Sequence, residues 1–502
     1  MRVCLVAACA AVLAVPLSAQ APAARPAPQA VQLTLADALA RADSTVANVG
    51  IARAGLVRAQ SDWIRARSGY LPTLTGSATY SRTLKSQFSG FSSSSASSDS
   101  FPAPVNCEHY HTNPGLPIDQ RIDSLERGLD CTANASPFDF SKLPFGRANT
   151  WNFGLAASQP IYNGRTSGQV AAAAAGRDRA DAEFAAQRSQ AVLDAAASYL
   201  DAQLADRLLQ IAESTLAQSE RSYQQTRLAR QVGNLAEFDL LRATVARDNQ
   251  KPVVIQRRAA RNQAMLRLRQ LLHISDSQPL TLVTPLGDTA SVSLPSSVAA
   301  VAAAGDTSLA ARAPVRQAAA GLRANEGLLG SAKGGRRPTL TLSSAFAKIA
   351  FPDKVFAIGT MLTDWTVNVR MDVPIYTGGR NRADVMTAEA ARDESALRLK
   401  EAQHSAERER ADVRLQLEAA EATWDASRGT ADQAQRAYAI AEVRFQNGIS
   451  TLTELSDSRL QLQQAEANRA QAARDLQVAR LRAALLRDLP FGAGATAASG
   501  SF

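Results

Sequence analysis

The side chains best equipped for chemistry lie in one stretch, Cys107-Glu108-His109-Tyr110-His111, with Cys131 further along the same loop-like segment. Thiolates and imidazoles are zinc donors, so a metal site is one reading of the group. A Cys107–Cys131 disulfide with two surface histidines is the other. An exported chain favours the disulfide, because an isolated cysteine pair in an oxidising compartment closes. His273 and His404 have no partners nearby in sequence. No Ser/His/Asp arrangement, phosphate-binding glycine loop or zinc spacing occurs, and the many Asp and Glu are the background of charged helices. The expectation is a protein that is not an enzyme and uses no cofactor or metal.

The start, MRVCLVAACAAVLAVPLSAQ, supplies the address. Arg2 precedes an apolar run, Val3 to Val15, too short to span a bilayer as a helix, and Leu17-Ser18-Ala19 offers a small-residue cleavage site. Residues 1–19 therefore read as a secretory signal peptide. Val6-Ala7-Ala8-Cys9 faintly resembles a lipoprotein processing site, but the apolar run before Cys9 is very short. No later stretch has the roughly 18 consecutive apolar residues of a transmembrane helix. The formal net charge of +9 is spread out, with Arg and Glu/Asp interleaved along helical segments. That pattern reads as solvated helix faces, not as a nucleic-acid surface.

Two strand-like stretches organise the remainder. WNFGLAASQPIYNGR (Trp151 to Arg165) recurs as WTVNVRMDVPIYTGGR (Trp365 to Arg380). In the second, Trp365, Val367, Val369, Met371, Val373 and Ile375 alternate with Thr366, Asn368, Arg370, Asp372 and Pro374. In the first, Trp151, Phe153, Leu155, Ala157 and Ile161 form the apolar set. A period of two over ten or so residues fits a half-buried soluble strand or a membrane β-barrel strand. Each copy has a partner strand upstream: Leu71 to Tyr80, with Leu74, Gly76, Ala78 and Tyr80 on one face, and Arg337 to Ser344. Residues 84–148, rich in Ser, Pro and Asn, read as a long loop between the first two strands, and asymmetric barrels put such loops outside the cell.

Long helical patterns follow each strand pair. One runs from Gly164 to about Arg230, roughly 65 residues or about 100 Å, and is interrupted at Gly233 before a second helix from Glu237 to Leu272. The other runs from Asn381 to Phe445, is interrupted at Gly448, and resumes from Thr453 to Arg487. Shorter helices precede the strands, over Leu35 to Ser68 (with Thr34 and Asp37 as a capping box) and Ser308 to Ser331. Trp365 follows Trp151 by 214 residues and Gly448 follows Gly233 by 215, so the chain is a tandem duplication with long helices of nearly equal length. The organisation is a signal peptide (1–19), a first repeat (20–274), a linker (275–307), a second repeat (308–489) and a flexible tail (490–502).

Two hairpins give only four strands, too few to close a barrel, and an open sheet cannot face lipid with unpaired edges. Membrane strands would thus require several chains to share one barrel. The glycine breaks would be tips where long helices turn back.

This ordered set resembles the TolC family of outer-membrane efflux proteins over about residues 31–488. The matching pieces are LTLADALARA, LPTLT and RPTLT, both PIY-x-G strand exits, and the tips RLARQVGNLAEFDLLRA (227–243) and VRFQNGISTLTELSDSRLQL (443–462). The resemblance implies a mixed, mainly α fold. It implies a homotrimer with a twelve-stranded outer-membrane β-barrel, four strands per chain, continued by a long periplasmic α-helical barrel. It also implies docking of the helical tips to a periplasmic adaptor (membrane fusion protein) and an inner-membrane transporter, with outer-membrane lipid around the barrel. The function implied is a passive exit duct for efflux or type I secretion. A polar-lined duct selects weakly, so the choice of cargo would rest with the pump.

In the family, acids of the second tip ring a periplasmic constriction. Counted from Gly448 they fall on Glu454 and Asp457, which share a helix face. Three chains would bring six carboxylates to one opening, which would favour cations. Asp239 holds the matching place after Gly233, whereas Arg242 stands where Asp457 does, so the tips differ. Gly233 and Gly448 are expected to turn the tips; Arg227, Arg230 and Arg444 read either as adaptor contacts or as ordinary solvated charge. Members with a well-described closed state carry a tyrosine and an arginine where this chain has Phe445 and Ser450. The known gate latch is therefore not carried over, and a less tightly latched closed state is expected. The competing reading is a periplasmic coiled-coil adaptor or scaffold without a channel. The paired strands and the loop at 84–148 oppose it, as does the lack of a lipoyl-like β segment.

Overall fold

The computed structural model describes residues 31–85, 114–133, 147–233, 235–275, 278–286, 299, 308–352, 354–355 and 359–493. In chain order the elements are β1 (Val31–Leu33), α1 (Leu35–Thr45), α2 (Ala47–Ser68), β2 (Thr73–Arg82), α3 (Ile118–Ala133), β3 (Asn149–Asn163), α4 (Gly164–Gln231), α5 (Glu237–Leu271), β4 (Leu280–Leu282), α6 (Ala313–Gly334), β5 (Thr339–Ala350), β6 (Leu362–Asp372), α7 (Arg380–Gln446) and α8 (Leu452–Leu485). They divide into two compact units, one of residues 59–177 and 320–396, the other of 1–58, 178–319 and 397–502. The long helices α4 and α7 are continuous over 68 and 67 residues, as their nearly breaker-free sequences predict.

The first unit holds a four-stranded antiparallel sheet in the order β2-β3-β5-β6. Residues paired across an antiparallel ladder share a face, so the register fixes both surfaces. Tyr80, Trp151 and Ala350 form one row of the apolar face. Leu155, Phe346 and Trp365 form another, and Leu342 with Val369 a third. The opposite face carries Thr73, Thr75, Ser77, Asn152, Ser158, Ser343, Asn368 and Arg370. The apolar face is bare: Trp365 is 72% and Val369 70% exposed. Its two indole N–H groups are nonetheless satisfied, Trp151 donating to the Val355 carbonyl (2.8 Å) and Trp365 to Ser344 Oγ (2.9 Å). Among the described residues β2 and β6 each pair on one side only.

The alternation needs two corrections. A bulge between Pro160 and Tyr162 lets Tyr162, not Ile161, take the apolar face opposite Leu340. Proline has no N–H for the ladder, and a bulge is where a paired strand tolerates it. In the second copy β6 stops at Asp372, so Val373 and Ile375 lie beyond the strand.

The second unit is built around a core of α1, α4, α5 and α8 side chains, sealed by a short parallel pair, β1 with β4, that sequence reading missed. Tyr199 of α4, fully buried, donates to the Leu33 carbonyl (3.0 Å) and accepts from the Thr284 N–H (3.3 Å), tying both short strands down. Further differences concern boundaries. The expected single helix from Leu35 to Ser68 breaks at Val46, whose extended backbone (ψ 125°) turns its side chain onto the core. The loop at 84–148 contains α3, an amphipathic helix with Ile118, Ile122, Leu125 and Leu129 along one side. The expected flexible tail is ordered as far as Ala493, which is buried in the core. The signal peptide and most of the linker lie outside the described residues. Among the described residues no helix is long and apolar enough to cross a membrane.

Candidate functional site

The two helical turns at Gly233 and Gly448 gather most of the predicted site residues. Both glycines have left-handed backbones, φ 82° and 71°, which a side chain would strain. At the second turn the Gly448 N–H donates to the Phe445 carbonyl (3.0 Å) and the Ile449 N–H to the Arg444 carbonyl (2.9 Å). This is the Schellman end of a helix. Thr451 then caps α8, its hydroxyl accepting the Glu454 N–H at 3.3 Å. The spacing Thr451-x-x-Glu454 invites a full capping box, but the Glu454 carboxylate is used elsewhere. It pairs with Arg444 across the turn at 3.1 Å. A predicted constriction acid and a predicted docking cation are thus one ion pair. Asp457, one turn further on, is exposed, with no such cation among the described residues.

The first turn is tied differently. Arg230 reaches Glu237, at the start of α5, at 2.6 Å. Ala236 stands where Thr451 does and offers no side-chain cap, so Glu237 and Asp239 stabilise the helix start through its dipole instead. Leu228, Val232, Phe238 and Leu241 leave this turn strongly apolar and exposed, as Val443 and Ile449 do the second.

Phe445 packs against the cluster of Tyr438, Ala441, Leu455 and Leu462 between α7 and α8, and the Ser450 hydroxyl is buried with no hydrogen-bond partner among the described residues. Tyr438 of that cluster faces Arg459, a pair the sequence reading did not single out. Tyr438 and Arg459 are both 7% exposed. Burial raises the Tyr438 phenol above its usual value, and Glu442 adds to the rise. Burial lowers the Arg459 guanidinium, and Tyr438 partly offsets that. The signal was available: Tyr438 stands ten residues before Gly448 and Arg459 eleven after, so a helical hairpin brings them opposite each other. Cys107 and the Cys131 side chain lie outside the described residues.

The outer membrane efflux protein family matches residues 128–272 and 304–486, more than half of the chain. The chain belongs to the outer membrane efflux protein family. Among curated relatives, the toluene efflux pump outer membrane protein TtgF of Pseudomonas putida is 26% identical over 275 residues, 54% of this chain and 55% of that protein. The probable outer membrane lipoprotein SilC of Salmonella typhimurium is 24% identical over 256 residues, 49% of this chain and 54% of that protein. The chain thus spans about half the length of the curated relatives it matches. The solved CusC structure has a TM-score of 0.64 at 20% identity, covering 93% of this chain and 95% of that one. The Campylobacter jejuni CmeC outer membrane channel also gives 0.64, at 16% identity, over 92% and 88%. These structures share the fold of this family member.

Proposed function

We propose that three copies of this chain form a passive outer-membrane exit duct, a shared twelve-stranded barrel continued by periplasmic helices. The tips would dock to an adaptor and an inner-membrane pump of a tripartite efflux or type I secretion system. The observation that carries the reading is the sheet. One face is apolar and exposed, the other is polar, and both edges are unpaired among the described residues. Lipid satisfies the first face, a water-filled lumen the second, and neighbouring copies the edges. A soluble scaffold would leave all three exposed. The exposed apolar side chains at the turns suit an adaptor surface, and the family's efflux relatives support the assembly.

Single-channel conductance of the purified protein in a planar bilayer tests this. A cation-selective pore is expected, and a folded protein that extracts without detergent and opens no pore would favour the scaffold. Because Arg444 already neutralises Glu454, the selectivity should rest mainly on Asp457. Asp457→Asn is expected to move the reversal potential toward zero in a salt gradient. Glu454→Gln, by freeing Arg444 to offset Asp457, should move it toward zero by a similar amount. A potential unmoved by Glu454→Gln would discard the pair as a feature of the pore. Separately, Ser450→Arg is expected to lower the closed-state conductance, and no change would count against a loosely latched gate.

A further inference from the structure

The apolar face of the sheet is not uniform from end to end. In the described strands it carries two cations, Arg82 and Lys348, and no acid; Asp364 and Asp372 point to the other face. Both cations lie at the end away from the helices. Lys348 pairs across Phe153, one row from the Tyr80–Trp151 row, and Arg82 lies one row beyond that belt. Tyr80 and Trp151 meet at 4.9 Å with their rings tilted by 41°, and Trp151 and Phe153 stack at 5.9 Å. The rim beside them is fixed, with Tyr80 donating to Asn149 (2.9 Å) and Asn149 to the Pro352 carbonyl (3.2 Å). At the helix end the same face has Tyr162, Leu340 and Met371 and no charge.

Depth gives this asymmetry its meaning. From Leu340 to Lys348 along β5 is about 26 Å of strand, or about 20 Å of height at barrel tilt. The apolar band of such barrels is about 25 Å tall, so Lys348 stands just inside its outer boundary. A lysine there extends its apolar stem along the wall and lifts its ammonium to the headgroups. Neither cation has an ion partner among the described residues, and both are exposed.

We infer that Arg82 and Lys348 bind the phosphates of a phosphorylated glycolipid in the outer leaflet, with the Tyr80–Trp151–Phe153 belt against its sugar and acyl chains. The two positions lie two strands and four residues apart, about 16 Å, which long side chains close onto one headgroup bearing two phosphates. The inference rests on the sheet being a membrane wall.

The test is native mass spectrometry of detergent-purified full-length protein and of an Arg82→Ser/Lys348→Ser variant. The probes are bisphosphorylated lipid A, its dephosphorylated form, and phosphatidylglycerol. The wild type is expected to retain lipid A and release the dephosphorylated form. The variant should bind lipid A about 30-fold more weakly, since each basic side chain at a lipid surface gives about a fivefold gain. Equal retention by the variant, or equal retention of phosphatidylglycerol, overturns the inference. Alkaline carbonate extraction of membranes separates the two readings. Release of the wild type would fail the membrane wall itself, while a membrane-bound variant with undiminished lipid A would fail only the lipid site.

Discussion

Gly168→Ala is expected to prevent accumulation of folded protein, or to lower its unfolding midpoint sharply, while Gly176→Ala on the same helix raises it. The reason lies where the sheet hands over to helices. β3 ends at Asn163 and α4 begins at Gly164; α6 ends at Gly334 and β5 begins at Thr339, and Asn163 pairs with Thr339. Paired strands are about 4.8 Å apart, whereas packed helices prefer 8–10 Å. With almost no connecting residues the two helices must start nearly as close as the strands end. Glycine allows that. A Cβ at Gly168 would lie 2.2 Å from the Ser331 nitrogen and 2.4 Å from the Gly327 carbonyl oxygen, and one at Gly334 would lie 1.9 Å from the Gly164 oxygen. These are backbone atoms that no rotamer change can move. Forcing the helices apart costs at least about 1–3 kcal/mol, the usual penalty of overpacking, and pulls on the β3–β5 register as well. At Gly176 nothing lies within 4 Å, so the added methyl gains about 0.5–1 kcal/mol of helix propensity. Thermal melts of the two variants in the same detergent decide the matter, and similar shifts for both would sink the argument.

That junction also marks the limit of what sequence could tell. The glycine after PIY recurs in both copies, and it is tempting to give it one role. Gly164 serves close approach, while Gly378 and Gly379 in the second copy have φ of 60° and 84° and nothing near them, serving a turn. Duplication preserves a motif without preserving its neighbours. The strands themselves were legible, because a period of two survives in sequence whenever one face meets an apolar medium. The bulge after Pro160 was not, since alternation carries no information about which residue drops out of register. Helix α3 was hidden by its surroundings: the 4-3-4 spacing of Ile118, Ile122, Leu125 and Leu129 is regular, but the Ser- and Pro-rich composition around it dominated. The pair β1–β4 was beyond reach because three residues show no periodicity. At the turns, position and type of the acids were readable from the repeat. Their partners were not, because the Arg444–Glu454 pair depends on how tightly the Schellman turn folds α7 back on α8.

Arg312→Met is expected to destabilise the helical unit by about 3–5 kcal/mol, the cost of leaving a buried charge without its partner. Nothing in the Ala311-Arg312-Ala313-Pro314 segment announces this residue, which reads as an ordinary arginine before a helix. Yet its side chain is only 2% exposed. Its guanidinium donates to Glu409 at 2.7 Å and to the carbonyls of Leu486 (3.1 Å), Ala406 (3.4 Å) and Leu489 (3.4 Å), and it lies over the Phe491 ring at 5.5 Å. The other Glu409 oxygen accepts the Gly492 N–H at 3.1 Å, and Asp488 takes Arg316 at 2.6 Å. One buried cation therefore joins the start of α6, the middle of α7 and the segment after α8, and this is why the chain is ordered past Pro490. If the pair acts as a unit, Arg312→Met/Glu409→Leu should be markedly more stable than the sum of the single losses predicts, because an apolar pair of similar volume needs no desolvation. Denaturant midpoints of the four proteins measure that coupling. Strictly additive losses would mean that Arg312 acts through the carbonyls alone, with Glu409 held independently by Gly492 and Arg482.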